Sequence, residues 1–200
     1  SDCNELETLA SSGANREYVT LDEIPVNLQH AFVAIEDERF YTHNGVDIRG
    51  MIRAGVTAVM TGFRETQGAS TITQQLLKNN YFTTWTSEKT MLDRINRKIQ
   101  EQYLAIQLEK VTSKEKILEN YLNTINLGQN TLGVQAASER YFNKNVSDLP
   151  LSECAVIAAI TPNPSRYTPI IHPEENATRR KHVLDKLLEP GYNAQDEYDE

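Results

Sequence analysis

The stretch Thr112-Ser113-Lys114-Glu115-Lys116-Ile117-Leu118-Glu119-Asn120-Tyr121-Leu122-Asn123-Thr124-Ile125-Asn126-Leu127-Gly128 sets the fold class. Ile117, Leu118, Tyr121, Leu122 and Ile125 recur at helical spacing and make one apolar stripe. Thr112 with Glu115 has the spacing of a capping box, and Gly128 is a stop signal. Upstream, Met91 to Val111 repeats the pattern with Leu92, Ile95, Ile99, Tyr103 and Ile106 on one side. Ser70 or Thr71 opens another helix, with Thr71 and Gln74 spaced as a capping box. Leu28, Ala31, Phe32 and Ile35 form a stripe behind Pro25, in a helix ending between Glu36 and Phe40, before the Asn44-Gly45 turn. Downstream, helices are predicted over Gly133 to Phe142, Leu151 to Ile160 and Glu174 to Leu188. Pro162, Pro164 and Pro169 make the segment before the last one an ordered loop. Alternating strand patterns are absent, so the fold is read as mainly α.

The composition bounds the function. Two hundred residues suit one good core or two small ones, and 39% hydrophobic with 24% charged residues is globular. A net charge of -8 excludes a general nucleic-acid binder. Cys3 and Cys154 form neither a disulfide framework nor a zinc pattern, and Cys154 reads as a small core residue. No run of eighteen apolar residues is present to span a bilayer. The segment Met51 to Arg64 is apolar, holds two glycines and is flanked by Arg49, Arg53 and Arg64. It is either a buried core helix or a segment dipping into a lipid interface with its arginines snorkelling.

Three clusters carry chemistry. Glu36-Asp37-Glu38 sits at a helix C-terminus, where the dipole disfavours negative charge. A carboxyl so placed suits general acid/base work on a sugar. The same three residues also suit a solvated acidic helix end. Thr71, Gln74, Gln75 and Lys78 share a helix face near a free N-terminus, a pattern for a phosphate or pyrophosphate site or for a wet polar face. Arg97, Lys98 and Glu101 share another face. They are either surface ion pairs or a second carboxylate held ionised by two cations.

Taken together, these segments resemble the glycosyltransferase domain of class A penicillin-binding proteins and monofunctional peptidoglycan glycosyltransferases. Glu36-Asp37 with Phe40, His43 and Gly45 matches the first family motif. Gly68 with Ser70 to Leu76 and Lys78-Asn79 matches the second, and Arg97-Lys98 with Glu101 and Leu108-Glu109 the third. Lys116 to Glu119 with Tyr121-Leu122-Asn123, Gly128, Gly133 and Tyr141-Phe142 matches the fourth. The helix Leu151 to Ile160 with Pro164-Ser165-Arg166-Tyr167 matches the fifth. Asn126 and Gln100 depart from the family pattern, standing where many relatives carry Tyr and Lys.

The resemblance implies a lysozyme-like helical glycosyltransferase with a larger head lobe and a smaller, membrane-associated jaw lobe. It divides the chain into an N-terminal linker (1–18) after a removed membrane anchor, the glycosyltransferase domain (19–189, jaw about 48–67) and an acidic C-terminal tail (190–200). It implies polymerisation of lipid II into β-1,4 glycan with inversion and release of undecaprenyl pyrophosphate. Glu36 is then the catalytic base and Glu101 the second catalytic carboxylate. Ser70, Thr71, Gln74, Gln75, Lys78, Asn79, Arg97, Lys98 and Arg180 are substrate-binding candidates. No cofactor is firmly implied, with a divalent cation (Mg or Mn) as a candidate aid to Glu101 and no metal ligands assigned. The expected partners are lipid II, the growing strand, the membrane interface and phosphoglycolipid inhibitors of the moenomycin type, at the extracytoplasmic face of the bacterial plasma membrane. A lysozyme-like hydrolase and a non-catalytic glycan- or lipid-binding module are the rival readings.

Overall fold

In a computed structural model, residues 17–62, 68–81 and 90–188 are described. Cys3, Arg64, the end of the jaw segment, nearly all of the N-terminal linker and the acidic tail lie outside them. The described residues are helical, with one isolated bridge between Asn126 and Leu132. In chain order the helices are α1 (Val26–Glu36), α2 (Ile48–Met60), α3 (Ile72–Tyr81), α4 (Met91–Val111) and α5 (Lys114–Thr124). They are followed by α6 (Val134–Phe142), α7 (Leu151–Ala159), α8 (Pro164–Tyr167) and α9 (Pro173–Leu187).

The core is built by α1, α3, α5, α7 and α9. Leu28, Ala31 and Phe32 of α1 are buried, as are Ile117, Leu118, Tyr121 and Leu122 of α5. Phe32 meets Tyr121 edge-on, with ring centroids 6.1 Å apart, and so ties α1 to α5. Truncating such a fully buried aromatic to Ala removes about 3–5 kcal/mol of stability. Cys154 is buried in α7, as its apolar neighbours suggested.

Three sequence expectations are corrected. Thr112 closes α4 rather than opening α5. Its N–H bonds the Leu108 carbonyl, while Ser113 caps α5 by accepting from Lys116 N at 3.3 Å. Adjacent hydroxyls made the one-residue choice invisible to spacing alone. Likewise α5 stops at Thr124, and Gly128 lies beyond it in the following loop. The proline-rich segment contains one helical turn, α8, started by Pro164 at a position where a missing N–H does no harm.

Burial settles what periodicity left open. The stripe Leu92, Ile95, Ile99, Tyr103 and Ile106 on α4 is exposed, and α4 buries Glu101 and Ala105 instead. Of the two readings of α2, the buried core helix does not hold. Gly50 is its one buried residue, while Ile48, Ile52, Val56, Val59 and Met60 are exposed, Met60 at 82%. Gln102 of α4 reaches Met51 of α2, so the two exposed apolar faces belong to neighbouring helices.

Candidate active site

Glu36 is the last residue of α1 and faces a groove bounded by α3, α4, α9 and the loops after α5 and α7. One end is a cavity of about 430 Å³ lined by both Glu36 and Glu101. A second cavity of about 480 Å³ continues from it and shares Glu36, Gly68, Ser70, Pro162 and Arg179. The two carboxylates predicted from distant segments therefore open onto one cleft.

Backbone geometry brings them there. After α1 the chain turns so that Asp37, 5% exposed, bonds backward and forward. It accepts from Ile72 N at 3.0 Å, at the start of α3, and both its oxygens lie 2.9 Å from His43 Nε2. This pins the Glu36 end of α1 to the head of α3 and satisfies one of that helix's free N–H groups. Gly45 then passes close against α4. It has φ +85°, and a Cβ there would sit 2.6 Å from the Ala105 carbonyl carbon and oxygen. No side chain fits that approach. Thr71 Oγ1 donates to the Gly45 carbonyl at 2.8 Å and accepts from Gln74 N at 3.2 Å. Half of the expected capping box forms, and the Gln74 side chain turns toward Lys98 instead.

Around Glu101 the charges are arranged as the spacing predicts. Its carboxylate, 1% exposed, accepts from Arg97 through one oxygen and from Lys98 Nζ at 3.3 Å through the other. Lys98 Nζ also donates to Ser70 Oγ at 2.7 Å and Gln74 Oε1 at 3.3 Å, stitching α4 to α3. A surface ion pair of this spacing is worth only a few tenths of a kcal/mol. Here the shared carboxylate is buried, so the site is a built cluster and not a solvated face. Gln74 Nε2 is buried without a protein acceptor among the described residues, and Gln74 lines the cavity. A buried donor beside an ammonium is a fitting contact for an anionic ligand.

At the other carboxylate, Gln75 Nε2 donates to Glu36 Oε2 at 2.9 Å. Glu36 Oε1 is buried and accepts from no protein donor among the described residues. One oxygen is thus held by Gln75 and the other is not.

Of the residues singled out from sequence, Glu36, Ser70, Gln74, Gln75, Lys78, Asn79 and Glu101 line the first cavity. Thr71 lines the second, although its hydroxyl is engaged as the head of α3. Lys98 and Arg97 stand behind the cavity wall as partners of Glu101. Arg180 lines neither cavity, whereas Arg179 lines both. Arg179 Nε donates to the Thr161 carbonyl at 3.1 Å and its guanidinium lies over the Tyr167 ring. The core face of α9 runs through Asn176, Val183 and Leu187, and either arginine fits a 3.6-residue period between them. The signal that separates the two is the groove-facing set Arg179, His182 and Lys186. Asn126, one of the family departures, also lines the first cavity.

Similarity to known proteins identifies the family. A family model described as Transglycosylase matches residues 2–188. The chain is 47% identical over 194 residues to "Penicillin-binding protein 1A" of Clostridium botulinum (strain Langeland), covering 92% of this chain and 23% of that protein. It is 47% identical over 178 residues to "Penicillin-binding protein 1F" of Bacillus subtilis (strain 168), covering 89% and 24%. To "Penicillin-binding protein 1A" of Escherichia coli (strain K12) it is 44% identical over 195 residues, covering 97% and 22%. The chain thus spans about a quarter of the length of these relatives. Among solved structures it is similar to penicillin-binding protein 1A from Haemophilus influenzae, with TM-score 0.53 and 25% identity over 93% of this chain and 17% of that one. A family match over nearly the whole chain, on a helical fold whose groove holds both motif carboxylates, leads to one conclusion: the chain belongs to the transglycosylase family.

Proposed function

We propose that this domain, a peptidoglycan glycosyltransferase by family, polymerises lipid II into β-1,4-linked glycan with inversion and release of undecaprenyl pyrophosphate. The observation that carries the reading is the single groove with Glu36 at its middle and the Glu101 cluster at one end. The acceptor's 4-hydroxyl loses its proton to Glu36 Oε1 as its oxygen forms a bond to the donor's anomeric carbon. The bond from that carbon to the pyrophosphate oxygen breaks, and the electron pair leaves with the lipid pyrophosphate. Lys78, Gln74 Nε2 and the Lys98 held by Glu101 supply positive charge and donors where the leaving group's charge develops. A leaving group so neutralised needs little protonation, so one base suffices for the chemistry.

Glu101 organises the cations. Both its oxygens are engaged by Arg97 and Lys98, so the donor set fits a divalent cation poorly and no step is routed through a metal. Among the described residues, no helix is long and apolar enough to cross a membrane. The exposed apolar faces of α2 and α4 support seating at the lipid interface, where a polyprenyl substrate resides. We place the domain at the extracytoplasmic face of the plasma membrane. Phosphoglycolipid inhibitors of the moenomycin type are proposed to occupy the Lys78, Gln75 and Glu101 end of the groove.

Side-by-side incubation tests the reading against a hydrolase on the same fold. Lipid II is expected to give a polymer ladder on a gel, while preformed peptidoglycan stays intact. Release of short muropeptides from peptidoglycan, with no polymer from lipid II, would establish the hydrolase instead.

A further inference from the structure

Tyr121 of α5 is fully buried, yet its hydroxyl donates to Gln75 Oε1 at 3.2 Å. The same amide donates through Nε2 to Glu36 Oε2 at 2.9 Å. Three core helices, α5, α3 and α1, thus meet in one line of hydrogen bonds ending on the carboxylate. Burial, and then the nearby Glu36 and Asp37 carboxylates, push the Tyr121 phenol well above its ordinary value, so it stays a neutral donor through the working pH range.

A glutamine amide has two orientations of nearly equal shape. While Glu36 is ionised, its oxygen alone demands the N–H. Once Glu36 has taken a proton, that demand is gone, and a protonated carboxyl accepts either face of the amide. A flipped amide would aim Nε2 at Tyr121 and leave a buried phenol proton without its acceptor, which is costly. Resting on the reading of Glu36 as the base, we propose that Tyr121 is a positioning residue that keeps Gln75 donating to Glu36 Oε2 throughout the catalytic cycle. The consequence is an asymmetric carboxylate. Oε2 is always engaged, so the acceptor's proton arrives at Oε1 and departs from it.

A double-mutant cycle on the full-length protein carrying this chain tests the relay. Tyr121→Phe keeps the ring and its edge contact with Phe32 and removes only the hydroxyl. Its kcat on lipid II should fall about tenfold, the rate equivalent of one neutral hydrogen bond, with KM changed less than about twofold. Gln75→Met, similar in shape but without the amide, should lower kcat at least as much. Adding Tyr121→Phe to Gln75→Met should lower kcat no further, because the line is already cut. Wild-type kcat in Tyr121→Phe, or losses that multiply in the double variant, would overturn the relay. So would a Tyr121→Phe protein that no longer folds, since the hydroxyl would then be holding the core and not the base. Glu36→Gln run in parallel keeps the two readings apart: full turnover there would reject the base itself, whatever Tyr121 does.

Discussion

Replacing Glu101 by Gln keeps the shape of the side chain and removes a charge that is 1% exposed. In the native protein the carboxylate holds Lys98 at 3.3 Å and the Arg97 guanidinium beside it. At 3.3 Å and an effective dielectric near 20, the gross Coulomb attraction to Lys98 is about 5 kcal/mol. Most of that attraction is offset by desolvation of the charges. Arg97 and Lys98 have side-chain exposures of 19% and 39%, so water partly compensates them once the carboxylate is gone. The amide keeps one acceptor and turns its NH2 toward the other cation. A net destabilisation of about 2–3 kcal/mol follows, below the 3–5 typical of fully buried pairs. In a domain of this size that lowers Tm by roughly 4–12 °C. The functional loss is larger than the Tm change suggests, because Lys98 is then placed by Ser70 and Gln74 alone. Polymerisation of lipid II should drop about a hundredfold at a temperature where the variant is fully folded, equivalent to about 2.7 kcal/mol of lost transition-state stabilisation. Differential scanning calorimetry and a fluorescent lipid II gel read the two effects separately. A variant with native Tm and native turnover would refute the assignment of Glu101 as organiser of the cationic site.

Other consequences are equally concrete. Gly45→Ala forces a Cβ against the Ala105 carbonyl at positive φ and should destabilise the protein by at least about 2 kcal/mol, measured by urea denaturation. An unchanged midpoint would contradict the close packing of the Gly45 turn on α4. Burial raises Glu119, but hydrogen bonds from Lys116, Tyr18 and Leu21 N outweigh it and hold its carboxyl below the ordinary value of 4.5. A depressed carboxyl contributes stability above its unfolded-state value and loses it as pH falls through the lower folded-state value. Stability should therefore decline below about pH 4.5 and decline less steeply in Glu119→Gln, followed by thermal unfolding across pH. Val59→Asp, on the exposed face of α2, should leave Tm unchanged and weaken binding to liposomes, monitored by flotation. Unaltered flotation would count against the interfacial role of α2.

Much of the fold was legible because its core helices are strongly periodic. Helix α4 has the bounds that its pattern suggested, α6, α7 and α9 begin and end within a residue of theirs, and α5 stops at Thr124, short of the expected Gly128. What periodicity does not supply is the identity of the buried face. On α4 the apolar stripe is exposed, and the buried positions are Glu101 and Ala105. A small residue lets the Gly45 turn approach, and a paired carboxylate faces the groove. The exposed apolar faces of α2 and α4 fit the lipid interface proposed for them, and a sequence carries no record of its solvent. The carboxylates and the Ser70 to Asn79 face were readable from residue type and spacing. The groove that unites them was not, since it depends on Asp37 bridging to Ile72 N across the sequence. Arg179 escaped for a simpler reason, because adjacent arginines on a helix are separated by orientation and not by pattern.

The most direct test of the account is polymerisation by Glu36→Gln. The variant keeps the Gln75 contact sterically and removes the atom proposed to accept the proton, so folding and inhibitor binding at the Glu101 end should persist. No polymer is expected on the lipid II gel beside a fully active wild type. A ladder of normal intensity from Glu36→Gln would contradict it.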